Sequence, residues 1–555
     1  MDLSRRAPQN GERDCERLMS KRFGLTMPIK ACSLKGEDAQ TSIPFLKFRD
    51  WLGLLLEHNC LHIFCGLLKP DRERECAILE HFWRCFEVQN PQHPIFQKAR
   101  SGECSLGRTV PLLLHGDEGR SKKRSAFLIL NLHSPLGRGV DPQLQSGQRR
   151  RKYLKLEPNF KGHSYTNRFL VSAVPKASYT GPNESNFSML LDAVAEELLH
   201  VSTVGVESRS QTWHACCIGI VGDWPWLAKC GLDRSFMNVE KHKENARGVC
   251  KGICHLCQAG QPGTPYEQIA SKTPLWQNTM LAQPPFSRPS PFQGIPHVEG
   301  ELPSLFHFDL FHCWHLGMAR NYLGSMLALL SQLEPGSNVD LRFEQLSKKY
   351  LGWCRQHHRQ AHCQRITKEH LGWLSTSYYP TGGWHKGDLS TSLMLWVEAR
   401  FHTEDWSHDS ALQLAGEAAE AINCFISKLY HGGAFLSPSE AKEAGEFGMR
   451  FLRRYNSLAV QAHRNGQRFW LIMPKAHAMH HLILGLLNNS QTGLCLNPLC
   501  TSVQQDEDYI GRGSRLSRHV SSVTCAERVV SRHLQSVYNK FVECGYLIRA
   551  KGAAH

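Results

Sequence analysis

Two acidic residues that follow apolar runs of the sequence are the first candidates for chemistry. Asp117 follows TVPLLLHG, and Asp223 follows WHACCIGIVG, 106 residues later (223 − 117). Two carboxylates side by side at the ends of neighbouring parallel strands repel each other unless cations lie between them. Two Mg²⁺ (or Mn²⁺) ions, roughly 3.5–4 Å apart and bridged by such acids, support in-line phosphoryl transfer. The sequence therefore predicts that Asp117 and Asp223 are catalytic residues that bind Mg²⁺.

A third carboxylate would complete the ligands of the second ion, and we expect it on a helix that follows the strands. Glu507 in QQDEDYIGR is the candidate, with Asp506 and Asp508 as rivals one residue away. The alternative is that each acid only solubilises a strand end or a helix start, which is the commoner role of any single carboxylate. Acids at the ends of both predicted strands favour the catalytic interpretation.

The elements that must position these acids are predicted from the hydrophobic pattern. TVPLLLHGD and SAFLILNLH predict two strands that are joined by EGRSKK, and TNRFLVSAVP predicts a third. NFSMLLDAVAEELLHVSTVGV has apolar residues at helical spacing, and WHACCIGIVGD predicts a fourth strand. The order strand, strand, strand, helix, strand is that of an RNase H-like α/β core with a mixed sheet.

A two-cysteine knuckle, CHLC, offers half of a tetrahedral zinc site through Cys254 and Cys257. MPKAHAMHHLIL offers the other half, because His477 and His481 are one helical turn apart and share a face. Zn²⁺ takes four such ligands, so the ion would join the start of a long helical insertion to its end. Cys250 is an alternative thiolate. The competing interpretation is a surface pair of thiols and a helix with ordinary core histidines.

The motif FDLFHCWHLG contains a second set of potential ligands. Asp309, His312 and His315 are three residues apart and share roughly one face of a helix. They would either contact a metal or form an ion pair that braces the insertion. We favour the brace, because the three acids above already supply the ligands of the catalytic ions.

Positive charge is concentrated between the predicted second and third strands, where Arg149, Arg150, Arg151 and Lys152 form the densest basic run. The whole chain has 65 Lys and Arg against 50 Asp and Glu, a formal net charge of +15. The run either contacts DNA phosphates, which sets register without distinguishing bases, or is an exposed flexible loop.

A length of 555 residues exceeds what one compact core contains. WLGLLLEHNCLHIFCGLL is interrupted by polar residues and predicts a core helix, not a membrane span. The N-terminus has no apolar signal region, and the 21 cysteines form no compact framework, so we expect an intracellular protein. The predicted domains are an irregular segment (1–44), a helical region (45–105), the first part of the core (106–250), a zinc-knuckle and helical insertion (251–490) and the C-terminal helical part of the core (491–555).

In their order, these motifs resemble those of the CACTA-type (CMC superfamily) DDE transposases, which share a ground plan with Transib and the catalytic subunit of the V(D)J recombinase. The resemblance rests on GDWPWLAKCG, CHLC, DLFHCWHLGM, PKAHAMHH and DEDYIG, and covers most of the chain. It implies that the metal-binding acids are Asp117, Asp223 and Glu507, and that the zinc ligands are Cys254, Cys257, His477 and His481.

The resemblance further implies a nuclear enzyme that nicks and joins DNA, acts on element ends and target DNA, and works as a homodimer or a higher synaptic complex. The N-terminal sequence contains no recognisable DNA-end recognition module. Two other classes of protein are consistent with the sequence. One is a catalytically decayed, transposase-derived protein that still binds DNA. The other is a zinc-braced helical interaction protein with no nucleic-acid role.

Overall fold

The computed structural model describes residues 11–35, 42–120, 125–140, 156–236, 238, 251–518, 520–521 and 524–548 of the chain. These residues form a mixed α/β protein with many helices. They divide into two compact units. The first lies within Met1–Gly231, Ser287–His307 and Val503–His555, and the second lies within Leu232–Phe286 and Phe308–Ser502.

The strands of the described residues occupy both units. They are β1 (Cys32–Lys35), β2 (Ser42–Phe45), β3 (Thr109–Arg120), β4 (Ala126–His133), β5 (Phe169–Pro175), β6 (Val206–Ser208), β7 (Gln211–Gly222), β8 (Phe435–Leu436) and β9 (Cys495–Leu496).

The α-helices are α1 (Gly11–Arg17), α2 (Phe48–Glu57), α3 (Arg72–Gln89), α4 (Pro94–Arg100), α5 (Ser164–Asn167), α6 (Glu184–Thr203), α7 (Trp224–Lys229), α8 (Ala319–Gln332), α9 (Val339–Gln356), α10 (Gly387–Thr403), α11 (Ser410–His431), α12 (Pro438–Arg464), α13 (Pro474–Asn489), α14 (Gln504–Ser517) and α15 (Cys525–Glu543). A π-helix, Phe311–Met318, runs directly into α8.

The first unit is built on a five-stranded mixed sheet in the order β5-β4-β3-β7-β6. β4 pairs antiparallel with both β3 and β5, β3 pairs parallel with β7, and β6 pairs antiparallel with β7. The predicted strands and the helix between the third and fourth of them are therefore confirmed as β3, β4, β5, α6 and β7.

Helices cover the sheet because its central strands are apolar on both faces. β4 is buried along almost its whole length, as expected for an inner strand packed on two sides. Successive residues of a strand point to opposite faces. A side-chain carbon added to Gly119 would meet Ser514 and Ile510 of α14, whereas one added to Gly116 would meet Trp226, which contacts Phe187 of α6. The helices α14 and α6 therefore lie on opposite faces.

A tryptophan fixes the end of the β3–β7 pair. Gly116 and Gly222 are register partners in this parallel pair. A carbon added to Gly116 would lie 2.6 Å from Trp226, and one added to Gly222 would lie 2.4 Å from it. Gly222 also has φ +149°, a conformation that side-chain-bearing residues rarely adopt. Glycine is therefore required at both positions, and the Trp226 ring packs against the two strands just before Asp223.

The unit boundaries differ from the predicted domain ranges. The second unit begins at Leu232 instead of residue 251 and ends at Ser502 instead of residue 490. Residues Ser287–His307 return to the first unit, where Phe306 forms a parallel bridge with Ile220 at β7. This return is a long-range contact with a strand more than 80 residues away, which no local pattern in the sequence indicates.

The N-terminal region also differs from its prediction. The segment predicted to be irregular contains α1 and β1, and β1 pairs antiparallel with β2 from Cys32↔Phe45 to Lys35↔Ser42. The apolar run from Trp51 is not one continuous helix. α2 ends at Glu57, and Asn59 adopts a left-handed φ of 56° that ends helical geometry. Among the described residues, no helix has the length and apolar character that crossing a membrane requires.

The second unit is mainly helical, with α10 against α11, α11 against α12 and α12 against α13. Small residues allow α12 and α13 to approach closely. A carbon added to Gly445 would lie 2.6 Å from Leu487, and one added to Gly448 would lie 2.6 Å from Ile483. The long helices predicted between Asp409 and about Leu487 are confirmed as α11, α12 and α13.

We predict that Gly222→Ala lowers the free energy of unfolding by about 1–3 kcal/mol, because the new methyl group overpacks Trp226 and forces a strained φ. Gly53→Ala in α2 is the matched control. Its added carbon meets only Val206 at 3.7 Å, so it should be neutral or stabilising by up to about 1 kcal/mol. Chemical unfolding of both variants measures the difference. Equal stabilities would contradict the close packing at the end of β7.

Candidate metal centres

Two cysteines and two histidines converge in the second unit. The ligand atoms of Cys254, Cys257, His477 and His481 all lie within 4.8 Å of one another. The Sγ atom of Cys257 is 3.4 Å from Nε2 of His477 and 3.5 Å from Nε2 of His481, and Cys254 Sγ is 3.5 Å from His481 Nε2. The two Nε2 atoms are 3.0 Å apart. These four side chains are the ones predicted from the sequence.

The donor set fits a tetrahedral metal ion such as zinc. Zinc–sulfur bonds of about 2.3 Å and zinc–nitrogen bonds of about 2.0–2.1 Å separate sulfur from nitrogen by about 3.6 Å around a tetrahedral ion. The sulfur–nitrogen distances of 3.4–3.5 Å are close to this value. Both cysteines are fully buried, and the exposed fractions of His477 and His481 are 1% and 9%. The four residues could therefore hold an ion shielded from solvent.

The backbone of the knuckle is held by a buried arginine that the sequence did not indicate. The Arg234 guanidinium donates to the carbonyl oxygens of Cys254 (3.0 Å), His255 (3.3 Å) and Gln283 (2.7 Å). The backbone N–H of Leu256 donates to Cys254 Sγ at 3.3 Å. These bonds orient both the knuckle and its sulfur, in the way that groups around a metal's ligands fix ligand geometry. A lone arginine carries no sequence signal for this role.

An aromatic wall encloses the histidine side of the cluster. The ring of Trp276 lies 4.7 Å from that of His477 and 4.1 Å from that of His481, and Phe308 stacks on His481 at 5.1 Å. All three distances are between ring centroids. Trp276 is 1% exposed. The wall excludes water, so an ion held here would exchange with solvent slowly.

The two buried thiols shift each other's pKa in opposite directions. Burial alone would raise the pKa of Cys254, but the hydrogen bond from Cys257 and the rings of His481 and His477 hold that pKa well below its ordinary value. Burial, together with the neighbouring Cys254, raises the pKa of Cys257. A bound metal cation would take both cysteines as thiolates, because the thiolate is the ligand form.

The neighbouring His480 does not belong to this group. His480 is fully buried next to His481, but its Nε2 is 2.8 Å from the carbonyl oxygen of Ser271. Cys250, the alternative thiolate, lies outside the described residues.

Asp117 and Asp223 lie at neighbouring positions in the first unit, although only Asp223 directly follows a strand. The parallel pairing of β3 and β7 ends at Gly116↔Gly222, so each aspartate is the next residue along its chain. β3 itself continues to Arg120, because Asp117 pairs antiparallel with Ile129 of β4. The expectation that Asp117 marks the end of its strand is therefore wrong.

Local hydrogen bonds orient the two carboxylates. Asp223 is the N-cap of α7, where its Oδ1 accepts from the backbone N–H of Trp226 at 2.8 Å. Asp117 Oδ1 accepts from the N–H of Glu118 at 2.6 Å. The Glu118 carboxylate has other partners, since it accepts from the hydroxyl of Tyr179 at 2.6 Å and is paired with Lys229 of α7.

The three acids at the start of α14 have different surroundings. Asp506 is fully buried and paired with Arg168, whose Nε and Nη2 each donate to it at 3.2 Å. Asp508 accepts from Arg512 Nε at 2.7 Å and from Ser164 Oγ at 2.8 Å. Both rivals are thus engaged in ion pairs within the protein. Glu507, the acid predicted from the sequence, is partly exposed.

The three predicted catalytic acids do not form a compact ligand cluster. Within the described residues, the Cys254, Cys257, His477 and His481 group is the only set of three or more His, Cys, Asp or Glu whose ligand atoms all lie within 4.8 Å. The structure brings the backbones of Asp117 and Asp223 together at one edge of the sheet. It does not bring the carboxylates of Asp117, Asp223 and Glu507 within that distance.

The Asp309–His312 pair forms the predicted contact within the second unit. Asp309 Oδ2 is 2.5 Å from His312 Nδ1, and the same carboxylate accepts from the backbone N–H groups of Phe311 (2.8 Å) and His312 (3.0 Å). It therefore braces the start of the π-helix. His315 is turned elsewhere, with Nδ1 3.3 Å from Thr391 Oγ1, and its burial lowers its pKa to about 4.

The predicted phosphate-binding residues Arg149, Arg150, Arg151 and Lys152 lie outside the described residues. The chain matches no protein-family model and no curated protein.

We predict that His481→Ala weakens metal binding by the full-length chain at least about a hundredfold, because losing a ligand should exceed the 10–100-fold effect of losing a partner around one. His480→Ala is the matched control, since it removes the adjacent buried ring and leaves all four donors. Metal content per chain, measured by plasma mass spectrometry after dialysis against a weak chelator, separates the two. Equal metal content in both variants would contradict the four-residue site.

Proposed function

We propose that this chain is a DDE-type DNA transposase, or a domesticated relative, with an RNase H-like core that cuts and joins DNA by two-metal-ion phosphoryl transfer. The strand order β5-β4-β3-β7 with a single parallel pair supports an RNase H-like core. In this interpretation the helical second unit is the insertion that the sequence carries between β7 and α14.

The observation that carries the proposal is the parallel register that ends at Gly116↔Gly222. Neighbouring strands lie about 4.8 Å apart, so the two aspartates that follow these glycines start from adjacent backbone positions. Two carboxylates brought close together from such positions repel each other strongly in the absence of a cation. A pair of Mg²⁺ or Mn²⁺ ions would relieve this repulsion, and it is the arrangement that two-metal phosphoryl transfer uses.

Glu507 is the third proposed ligand. It lies on α14, which packs directly against β3 on the face opposite Trp226. Asp117 shares that face with Gly119, because residues two apart on a strand point the same way. Glu507 would close toward the aspartates when cations and DNA bind, as catalytic contacts often tighten only in the substrate complex.

The chain's own residues have limited tasks in this chemistry. The bound cations would activate water for nicking and then the freed 3′-hydroxyl for joining. Asp117, Asp223 and Glu507 hold these cations, and no side chain serves as a nucleophile. The proposed DNA partners are element ends and target DNA, engaged by a homodimer or a higher synaptic complex in the nucleus. The net charge of +15 suits such a polyanionic partner.

Zinc is the proposed ion of the second centre. A set of two cysteines and two histidines fills all four tetrahedral positions with protein ligands, which is typical of structural zinc. A catalytic zinc would keep a position open for water. The ion would therefore stabilise the second unit by joining the knuckle at Cys254 to α13.

A decayed transposase that still binds DNA is the second candidate. It is favoured by the finding that, among the described residues, the three acids form no group within 4.8 Å. It predicts salt-sensitive DNA binding without metal-dependent cleavage. A zinc-braced helical interaction protein would show neither activity.

We predict that the full-length chain nicks duplex DNA in the presence of Mn²⁺ or Mg²⁺, and that Asp223→Asn reduces the rate at least about a hundredfold. Asparagine is as good an N-cap as aspartate, so this variant keeps the hydrogen bond to Trp226 and loses only the charge. Supercoiled plasmid is a suitable substrate, because one nick converts it to an open circle.

Asp508→Asn serves as the control, since it removes an acid from α14 that is already paired with Arg512. It should nick at the parent's rate. Equal rates for the parent and Asp223→Asn would reject the acid assignment. DNA binding by the parent without any nicking would support the decayed-transposase candidate.

A further inference from the structure

A charged cluster is buried beside the proposed acids in the first unit. It contains Asp506 at the start of α14, Arg168, His133 at the end of β4, His115 of β3 and Asn131 of β4. The exposed fraction of every one of these residues is 2% or less. The proposed cation chemistry does not use any of them. Ionised groups are rarely buried so completely without a specific reason.

The contacts within the cluster converge on one carboxylate. Arg168 Nε lies 3.2 Å from Asp506 Oδ1, and Arg168 Nη2 lies 3.2 Å from Oδ2, so the arginine holds both oxygens as a fork. His133 Nδ1 is 3.4 Å from Asp506 Oδ1, and His115 Nδ1 is 3.9 Å from it. Asn131 Nδ2 donates to His115 Nδ1 at 2.9 Å. Arg168, just before β5, thus holds the first turn of α14, and His133 at the end of β4 lies beside the same carboxylate.

A buried ion pair of this kind adds little to the stability of the fold but fixes the relative position of the groups that it joins. Removing two charges from water is unfavourable, and an apolar pair of similar volume is often equally stable. A two-pronged arginine–carboxylate contact, however, has a defined direction and distance. The contact therefore restricts the position and orientation of the first turn of α14 relative to Arg168.

The Asp506–Arg168 contact lies close in the fold to the proposed metal ligands. Asp506 is adjacent in sequence to Glu507, and His115 lies two residues before Asp117 on the same face of β3. Two residues of a strand span only about 7 Å. The helix is therefore held at the level of the sheet where the proposed cations would bind.

We propose that the Asp506–Arg168 pair is a positioning device, which sets the register of α14 on the sheet so that Glu507 can reach the cations held by Asp117 and Asp223. This inference rests on the proposed function. Asp506 is not a metal ligand in this account, because both its oxygens face Arg168. The effect of the pair on the cations passes through Glu507.

Iron-directed cleavage of the full-length chain tests this proposal. Fe²⁺ substitutes for Mg²⁺, and with ascorbate and peroxide it cuts the backbone near the bound ion. We expect cuts near residues 117 and 223 in the parent. Asp506→Asn should raise the half-saturating Fe²⁺ concentration for these cuts about tenfold or more, the effect typical of losing a group that orients a ligand. The midpoint of thermal unfolding, measured beside each titration, shows whether each variant remains folded.

Two further variants complete the experiment. Asp508→Asn, on the other side of Glu507, should shift the half-saturating concentration less than about twofold, since its partner Arg512 is not buried. Arg168→Lys keeps the positive charge but loses the fork, and should give an intermediate shift of several-fold. Arg168→Lys tests the proposal if Asp506→Asn fails to fold, which the loss of the cooperative thermal transition would reveal.

The outcomes separate this inference from the proposed function. If the parent is cut near residues 117 and 223 and folded Asp506→Asn or Arg168→Lys is cut at the same Fe²⁺ concentration, the positioning role is overturned and the metal site stands. If the parent is not cut there at all, the metal assignment fails and the positioning role fails with it.

Discussion

The parallel pairing of β3 with β7 is the constraint on which the proposed chemistry depends. Parallel neighbours need a long crossover connection, and β4, β5 and α6 lie within it. Their shared direction brings Asp117 and Asp223 to one edge of the sheet. Gly116 and Gly222 can pair there only because neither has a side chain to displace Trp226. The backbones of the two acids are thus adjacent because Trp226 can pack closely on the glycines that precede them.

The cysteine–histidine centre illustrates a different kind of constraint. Cys257 and His477 are separated by 220 residues, so bringing them together closes a long loop. The entropic cost of closure grows slowly with loop length, and binding of a metal would offset it. Arg234 holds the backbone of the knuckle, and Trp276 packs against the rings of His477 and His481. A metal ion at this centre would therefore stabilise the second unit whether or not the first unit has the proposed catalytic activity.

Features of this protein that follow from local sequence patterns could be predicted, whereas features that depend on long-range contacts could not. The alternating apolar runs of β3, β4, β5 and β7 and the helical spacing of His477 and His481 are visible in the sequence, and the structure confirms them. The continuation of β3 past Asp117 depends on its pairing with β4, which hydrophobicity does not report. Likewise, three adjacent acids of α14 look equivalent until burial assigns Asp506 to Arg168. The return of Ser287–His307 to the sheet had no local signal.

Anomalous X-ray scattering from Mn²⁺ in crystals of the full-length chain bound to DNA would locate any ions at the three carboxylates. We expect two manganese peaks about 3.5–4 Å apart, with Asp117 and Asp223 as shared ligands and Glu507 as a ligand of one ion. Density for DNA beside this edge of the sheet with no manganese at the three carboxylates would contradict this expectation.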